Sequence, residues 1–286
     1  MRRRGQPAAG PVRARTAAAA VLAAALLLAG CAQSVDPIER LGKRAAQGAR
    51  PPTPAAGAVY RRWGLTAPLA APPSHPARPL GTRRPDASPP PVVDHVDTTD
   101  RVVFLTYDDG AERDPRFAEM VRELRLPVSL FLTGGVVGPG YGHFARLRAV
   151  GAAIENHTLD HLALPGLPYD GQRAEISGQR DELGSRFGVR PRLLRPPRGA
   201  YDATTLRAAA DCGVSAVVLW RAALGSDGIV HRRGARHLTP GDIVLVGPGE
   251  GPGEGPGPTL TERTTRLLRH AQSQGLTVAR LEDYLA

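Results

Sequence analysis

From Val102 to the C-terminus, short apolar runs alternate with amphipathic stretches, and this alternation most narrows what the chain can fold into. Arg101-Val-Val-Phe-Leu-Thr-Tyr107 is a continuous apolar run ending in polar residues, the form of a strand buried in a parallel sheet. Asp114-Pro115 reads as N-cap and first helical position, with Phe117, Met120, Val121 and Leu124 on one face. The pattern then repeats. Strands are expected at Pro127 to Thr133, Ala152 to Glu155, Arg192 to Leu194, Val214 to Trp220, Asp242 to Val246 and Leu276 to Leu281. Between them lie a short helix around Phe144, Leu147 and Val150, and longer ones from Asp170 to Phe187 and Asp202 to Asp211. Thr259 and Glu262 form a capping box for a last helix ending near Gln274. Repeated βα units imply a parallel sheet, open or closed into a barrel, with chemistry gathered at the carboxyl ends of its strands.

The first third of the chain is of another kind. Arginines at 2, 3, 4, 13 and 15 precede an apolar run from Ala17 to Ala29, too short to span a bilayer comfortably. The ending Leu28-Ala-Gly-Cys31 resembles a bacterial lipobox, which implies cleavage before Cys31 and a lipid on its sulfur. Residues 1–30 are therefore read as a lipoprotein signal, and the mature chain as extracytoplasmic and anchored to the cell membrane. Residues 31–91 hold 13 of the 28 prolines and read as a mostly disordered, semi-rigid spacer. Within it, only Val59 to Leu65, with Tyr60 and Trp63, has the apolar content to dock on a domain. Residues 92–286 form the folded part. The net charge of +10 resides in the leader and spacer: 14 basic and 3 acidic residues precede Val92, against 23 and 24 after it. A near-neutral domain carries no phosphate-binding excess, so nucleic acid is excluded as a partner. With Cys31 lipidated, Cys212 is left as a buried structural thiol.

Three motifs sit just after strands. Thr106-Tyr107-Asp108-Asp109-Gly110 places two repelling carboxylates at a strand end, where a shared cation would relieve them, although Asp-Asp-Gly is also good turn chemistry. His157 and His161, at i and i+4 on a helical turn, would project two imidazoles to one side and could hold one metal. Arg195-Pro-Pro-Arg198-Gly199 is a stiff loop that fixes where Arg195 points.

In order and spacing the three resemble the polysaccharide deacetylase family with its NodB-type domain, carbohydrate esterase family 4. The resemblance covers Val102 to Leu285 and implies a distorted (β/α) barrel with fewer than eight regular repeats. It implies a divalent metal, usually zinc, on Asp109, His157 and His161. It makes Asp108 the general base, Arg195 its partner and the Arg198 backbone N–H an oxyanion donor. The chemistry is consistent: one carboxylate and two imidazoles leave a zinc site open to water beside a base. Trp220, at a strand end, is placed to stack on a sugar or to fill the core.

The chain also departs from the family pattern. Arg198 stands where a tyrosine or phenylalanine is usual and would favour an acidic glycan. No aspartate follows Trp220 closely; the chain reads Arg221-Ala-Ala223-Leu, and the nearest acid is Asp227. Gly247 stands where the resemblance expects the histidine that protonates the leaving group. His231, His237, Glu250 and Glu254 are the substitutes within reach in sequence, each also readable as an ordinary polar residue. The expected function is metal-dependent removal of N- or O-linked acetyl groups from a cell-wall or extracellular polysaccharide. The rivals are a weakened or inactive glycan-binding lipoprotein and a hydrolase of a non-sugar amide or ester.

Overall fold

The computed structural model describes residues 56–74, 89–110, 113–225, 228–232, 234–235, 237–247 and 258–285. The signal segment, Cys31, Asp227, Glu250 and Glu254 lie outside them.

In chain order the elements are α1 (Ala56–Arg62), β1 (Val92–Val93), β2 (Val102–Asp109), α2 (Pro115–Leu124), β3 (Val128–Leu132) and α3 (Gly134–Val137). Next come α4 (Tyr141–Ala149), β4 (Ala153–Asn156), α5 (Tyr169–Phe187), β5 (Leu193–Leu194), α6 (Ala203–Asp211) and β6 (Ala216–Val218). The chain continues with β7 (Ala222–Gly225), β8 (Gly228–His231), β9 (Ile243–Val246), α7 (Leu260–Ser273), β10 (Thr277–Val278) and α8 (Leu281–Leu285). The strands form one curled sheet in the order β1-β6-β5-β4-β3-β2-β9-β7-β8, with β10 also on β2. All pairings between named strands are parallel except the β7–β8 hairpin. This is an open, irregular barrel, as the βα alternation anticipates.

Strand alternation divides the core into two layers. Val103, Leu105 and Tyr107 of β2 face outward onto α2, α4 and α7, where Phe117, Met120, Leu147 and Leu267 meet them. Val102 and Phe104 face the inside of the curl with Phe131, Ala216 and Ile243. Helix starts follow the local chemistry: Asp114 accepts from Arg116 N, Asp202 and Thr205 form a capping box, and Thr259 and Glu262 form another.

Three features differ from the sequence expectation. The final segment is a two-residue strand followed by α8, whose Leu281, Tyr284 and Leu285 join the inner core. The segment expected as one strand to Trp220 stops at Val218, and β7 and β8 follow as a hairpin. A short helix, α3, directly follows β3. Within the proline-rich stretch, the segment singled out in sequence does pack on the barrel: Trp63 and Leu65 are buried in the outer core, and the Trp63 indole N–H donates to Glu123 at 2.9 Å. Arg62 pairs with Glu119 and Glu123, and Gln272 and Thr277 donate to the carbonyls of Ala67 and Ala70.

Candidate active site

The carboxyl end of β2 carries two acids that face the same way, which a regular strand forbids. Thr106 and Asp108 point inward by alternation. Asp109 should point outward with Tyr107, but its φ of 64° puts it in the left-handed region, which aspartate tolerates better than most residues. Its carboxylate consequently meets His157, with Oδ1 3.3 Å from Nε2. Asp108 Oδ2 is 3.9 Å from the same nitrogen.

His157 and His161 do converge, but a helical turn is not what brings them together. They lie in the loop after β4, and Thr158 (φ 72°) and His161 (φ 57°) are both left-handed, so no helix forms. Side-chain acceptors hold this loop instead. Asn156 Oδ1 accepts from Thr158 N, Glu175 Oε2 from Asp160 N, and the Glu175 carbonyl from Leu159 N. His161 Nε2 reaches Asp109 Oδ1 at 3.2 Å.

This trio fits a metal ion. His157 Nδ1 lies 2.8 Å from the Arg195 carbonyl, which can only accept, so Nδ1 carries the proton and Nε2 presents a lone pair. That lone pair faces Asp109 Oδ1, an atom buried without any hydrogen-bond partner. One ligand atom from each residue lies within 4.8 Å of the others. Two imidazole nitrogens and a carboxylate oxygen converging in this way suit a divalent cation of the zinc class. Burial works to raise the Asp109 pKa, but His157 and His161 outweigh it and hold the carboxyl below its usual range. Burial likewise works to lower His157, and is outweighed by Asp108 and Asp109. His161 is pushed down by burial, with Asp109 opposing and His157 and Arg198 adding to the shift.

Arg195 is wholly buried, and its donors are accounted for by nearby acceptors. Nη1 donates to Asp108 Oδ1 at 2.7 Å and to Thr106 Oγ1 at 2.9 Å; Nε and Nη2 donate to the carbonyls of Val218 and Leu219. The guanidinium lies over Phe131 at 4.2 Å and near Trp220 at 5.6 Å. Asp108 Oδ1 is thus engaged, while Oδ2 is turned toward the histidines. Asn156 and Glu175 were given no role by the sequence reading; Thr106 opens a flagged motif, but nothing in its position showed that its hydroxyl meets Arg195.

A cavity of about 390 Å³ opens over these groups, lined also by Arg198, Trp220, Ala223, Val230, Leu245 and Gly247. Arg198 is exposed, with a left-handed backbone (φ 56°) in the turn after β5. Trp220 is half-buried, with Arg232 over its ring at 5.2 Å. His231 does not reach the cavity: it pairs with buried Asp242 at 3.3 Å, at the amino end of the strands, and is itself buried. His237 is exposed in the loop before β9. Cys212 is buried and free.

Residues 95–217 match the family model for polysaccharide deacetylase. An uncharacterized protein of Streptomyces coelicolor is 58% identical over 222 residues, covering 76% of this chain and 88% of that protein. The peptidoglycan-N-acetylmuramic acid deacetylase PdaA of Bacillus subtilis is 26% identical, over 53% of this chain and 59% of its own length. Among solved structures, a CE4 family pseudoenzyme from Bacillus anthracis superposes with a TM-score of 0.59 at 21% identity, over 70% of each chain. Sequence model, curated relatives and architecture agree, and the chain belongs to the polysaccharide deacetylase family.

Proposed function

We propose that the chain is a metal-dependent hydrolase that removes acetyl groups from an extracytoplasmic polysaccharide. The observation that carries this reading is the buried, unpartnered Asp109 oxygen bracketed by two histidine nitrogens beside a second carboxylate. Asp109, His157 and His161 would hold the ion. When bound, a divalent cation such as zinc acidifies water and polarises a carbonyl. Asp108 takes the proton from the attacking water at Oδ2, since Arg195 occupies Oδ1. Arg195 fixes that carboxylate, with its own position set by Thr106 and two backbone carbonyls. The Arg198 backbone N–H would donate to the charge developing on the carbonyl oxygen. Trp220 offers a ring face to the sugar, and the exposed Arg198 guanidinium favours a glycan bearing a carboxylate.

Gly247 supplies no proton to the leaving group. The absence of a positioned acid typically lowers rates by about 10²–10⁴, and an amide suffers more than an ester because its nitrogen must be protonated to depart. Activity is therefore skewed toward O-acetyl groups. Lipidation of Cys31 would hold the domain outside the cell membrane on the stretch between Cys31 and α1, within reach of a wall polymer.

The test is acetate release from O- and N-acetylated glycans by the metal-loaded chain. Release should favour the O-acetyl substrate and vanish in Asp108→Asn and in metal-stripped protein. Gly247→His should raise the N-acetyl rate selectively. Release that survives both controls would overturn the mechanism, and bound glycan without release would identify a binding protein on the same fold.

A further inference from the structure

Resting on that reading, the acyl group and the sugar share one cavity whose walls differ in chemistry. One wall carries Asp108, Asp109, His157, His161 and, at the exposed rim, Arg198. The adjoining wall is built by the register of the sheet. Thr106, Leu245, Ala223 and Val230 lie side by side across β2, β9, β7 and β8. Two residues nearer the rim stand Asp108, Gly247 just past the end of β9, and Gly225, all lining the cavity, with Gly228 paired to Gly225 beyond them. The row next to Asp108 therefore consists of three glycines, above a row of leucine, alanine and valine.

These side chains are missing for no backbone reason at two of the three sites. Gly225 and Gly247 do not have positive φ, so any residue could adopt their conformation. Among the described residues, a Cβ at Gly247 would meet only Leu245 Cγ, at 3.9 Å. One at Gly225 would meet the Gly228 carbonyl at 3.6 Å and Val230 Cγ2 at 3.9 Å, both ordinary contacts. Among the described residues this wall is bare and uncharged, with Leu245 and Ala223 beneath it. An apolar void of about 150 Å³ already accommodates benzene, so this cavity of about 390 Å³ has room for more than a methyl group beside the reacting carbonyl. The polar sugar belongs at the exposed rim with Arg198.

We infer that the glycine row is an acyl recess, and that the substrates include glycans carrying short-chain acyl groups longer than acetyl, propionyl to butyryl. The reaction is the same hydrolysis. Water oxygen bonds to the acyl carbon, the bond to the sugar heteroatom breaks, that heteroatom takes a proton, and the short-chain carboxylate leaves.

The experiment compares 4-nitrophenyl acetate, propionate and butyrate with the zinc-loaded full chain, and in parallel the rise in melting temperature given by equal concentrations of acetate and butyrate. The wild type should hydrolyse butyrate at least as efficiently as acetate and be stabilised more by butyrate. In Ala223→Leu and Gly247→Val the butyrate-to-acetate ratio of kcat/KM should fall at least about tenfold, the scale of a methylene excluded from a fitted pocket. Acetate hydrolysis with butyrate rejected by the wild type would overturn the recess and leave the deacetylase reading standing. No hydrolysis of any ester, with butyrate still the better stabiliser, would do the reverse. Equal melting shifts together with an unmoved ratio in the variants would also refute the recess.

Discussion

Arg195 shows how a charge can be buried without being lost. Its guanidinium meets one carboxylate, one hydroxyl and two carbonyls between aromatic rings, so its desolvation is met by geometry rather than by a single ion pair. Thr106 is a quiet member of that set: its hydroxyl donates to the Val244 carbonyl at 2.8 Å and accepts from Arg195. Thr106→Val would leave the Val244 carbonyl without its hydroxyl donor and free Arg195 to tilt Asp108. Steady-state kinetics should show kcat falling about ten- to a hundredfold with KM little changed, and Thr106→Ser should restore most of it. A matching rise in KM would mean that Thr106 serves binding instead. The candidate trio was legible in sequence because Asp109, His157 and His161 stand in motifs whose order and spacing resemble those of the family. The way they meet was not. Left-handed φ at Asp109, Thr158 and His161 is imposed by partners such as Asn156 and Glu175, which become neighbours only on folding.

At the scale of elements, strong local signals were readable and weak ones were not. The caps at Asp114, Asp202 and Thr259 marked their helices to within a residue or two. The β7–β8 hairpin was hidden because Ala222-Ala-Leu-Gly has low strand propensity and owes its pairing to β9. The α1 arm was readable only as a docking candidate, because its apolar residues, Val59, Tyr60, Trp63 and Leu65, stand out from the proline-rich stretch without showing what they meet. Its weight can be measured. Trp63 is 3% exposed and hydrogen-bonded to Glu123, so Trp63→Ala should destabilise the domain by about 3–5 kcal/mol. Urea denaturation checks this; a loss below about 1 kcal/mol would mean the arm only rests on the surface.

Across the whole molecule, α8 closes the inside of the curl and brings two acids together there. Ser129 donates to Glu282 at 2.7 Å, and Glu155 accepts the N–H groups of Arg192 and Leu193. Burial first, and then the charge of Glu282, push the Glu155 carboxyl up from 4.5 to about 8, while Glu282 is itself raised, chiefly by burial. A carboxyl raised on folding binds its proton more tightly in the folded state. Its stabilising effect is complete below about pH 4.5 and declines as pH rises through about 8. Melting temperature should therefore fall between pH 5 and 9, and Glu282→Gln should flatten that slope while keeping the Ser129 contact. An unchanged slope in the variant would assign the pH dependence to other groups.

The docked arm also decides where this protein can be cut. A chain trimmed back to Val92 would expose the trough between α2 and α7 now filled by Trp63 and Leu65, and would strand Glu119 and Glu123 without their arginine and indole. Such a fragment would retain every catalytic candidate and still be prone to self-association through that greasy seam, so the smallest sound unit begins upstream of α1, inside what composition alone would discard as leash.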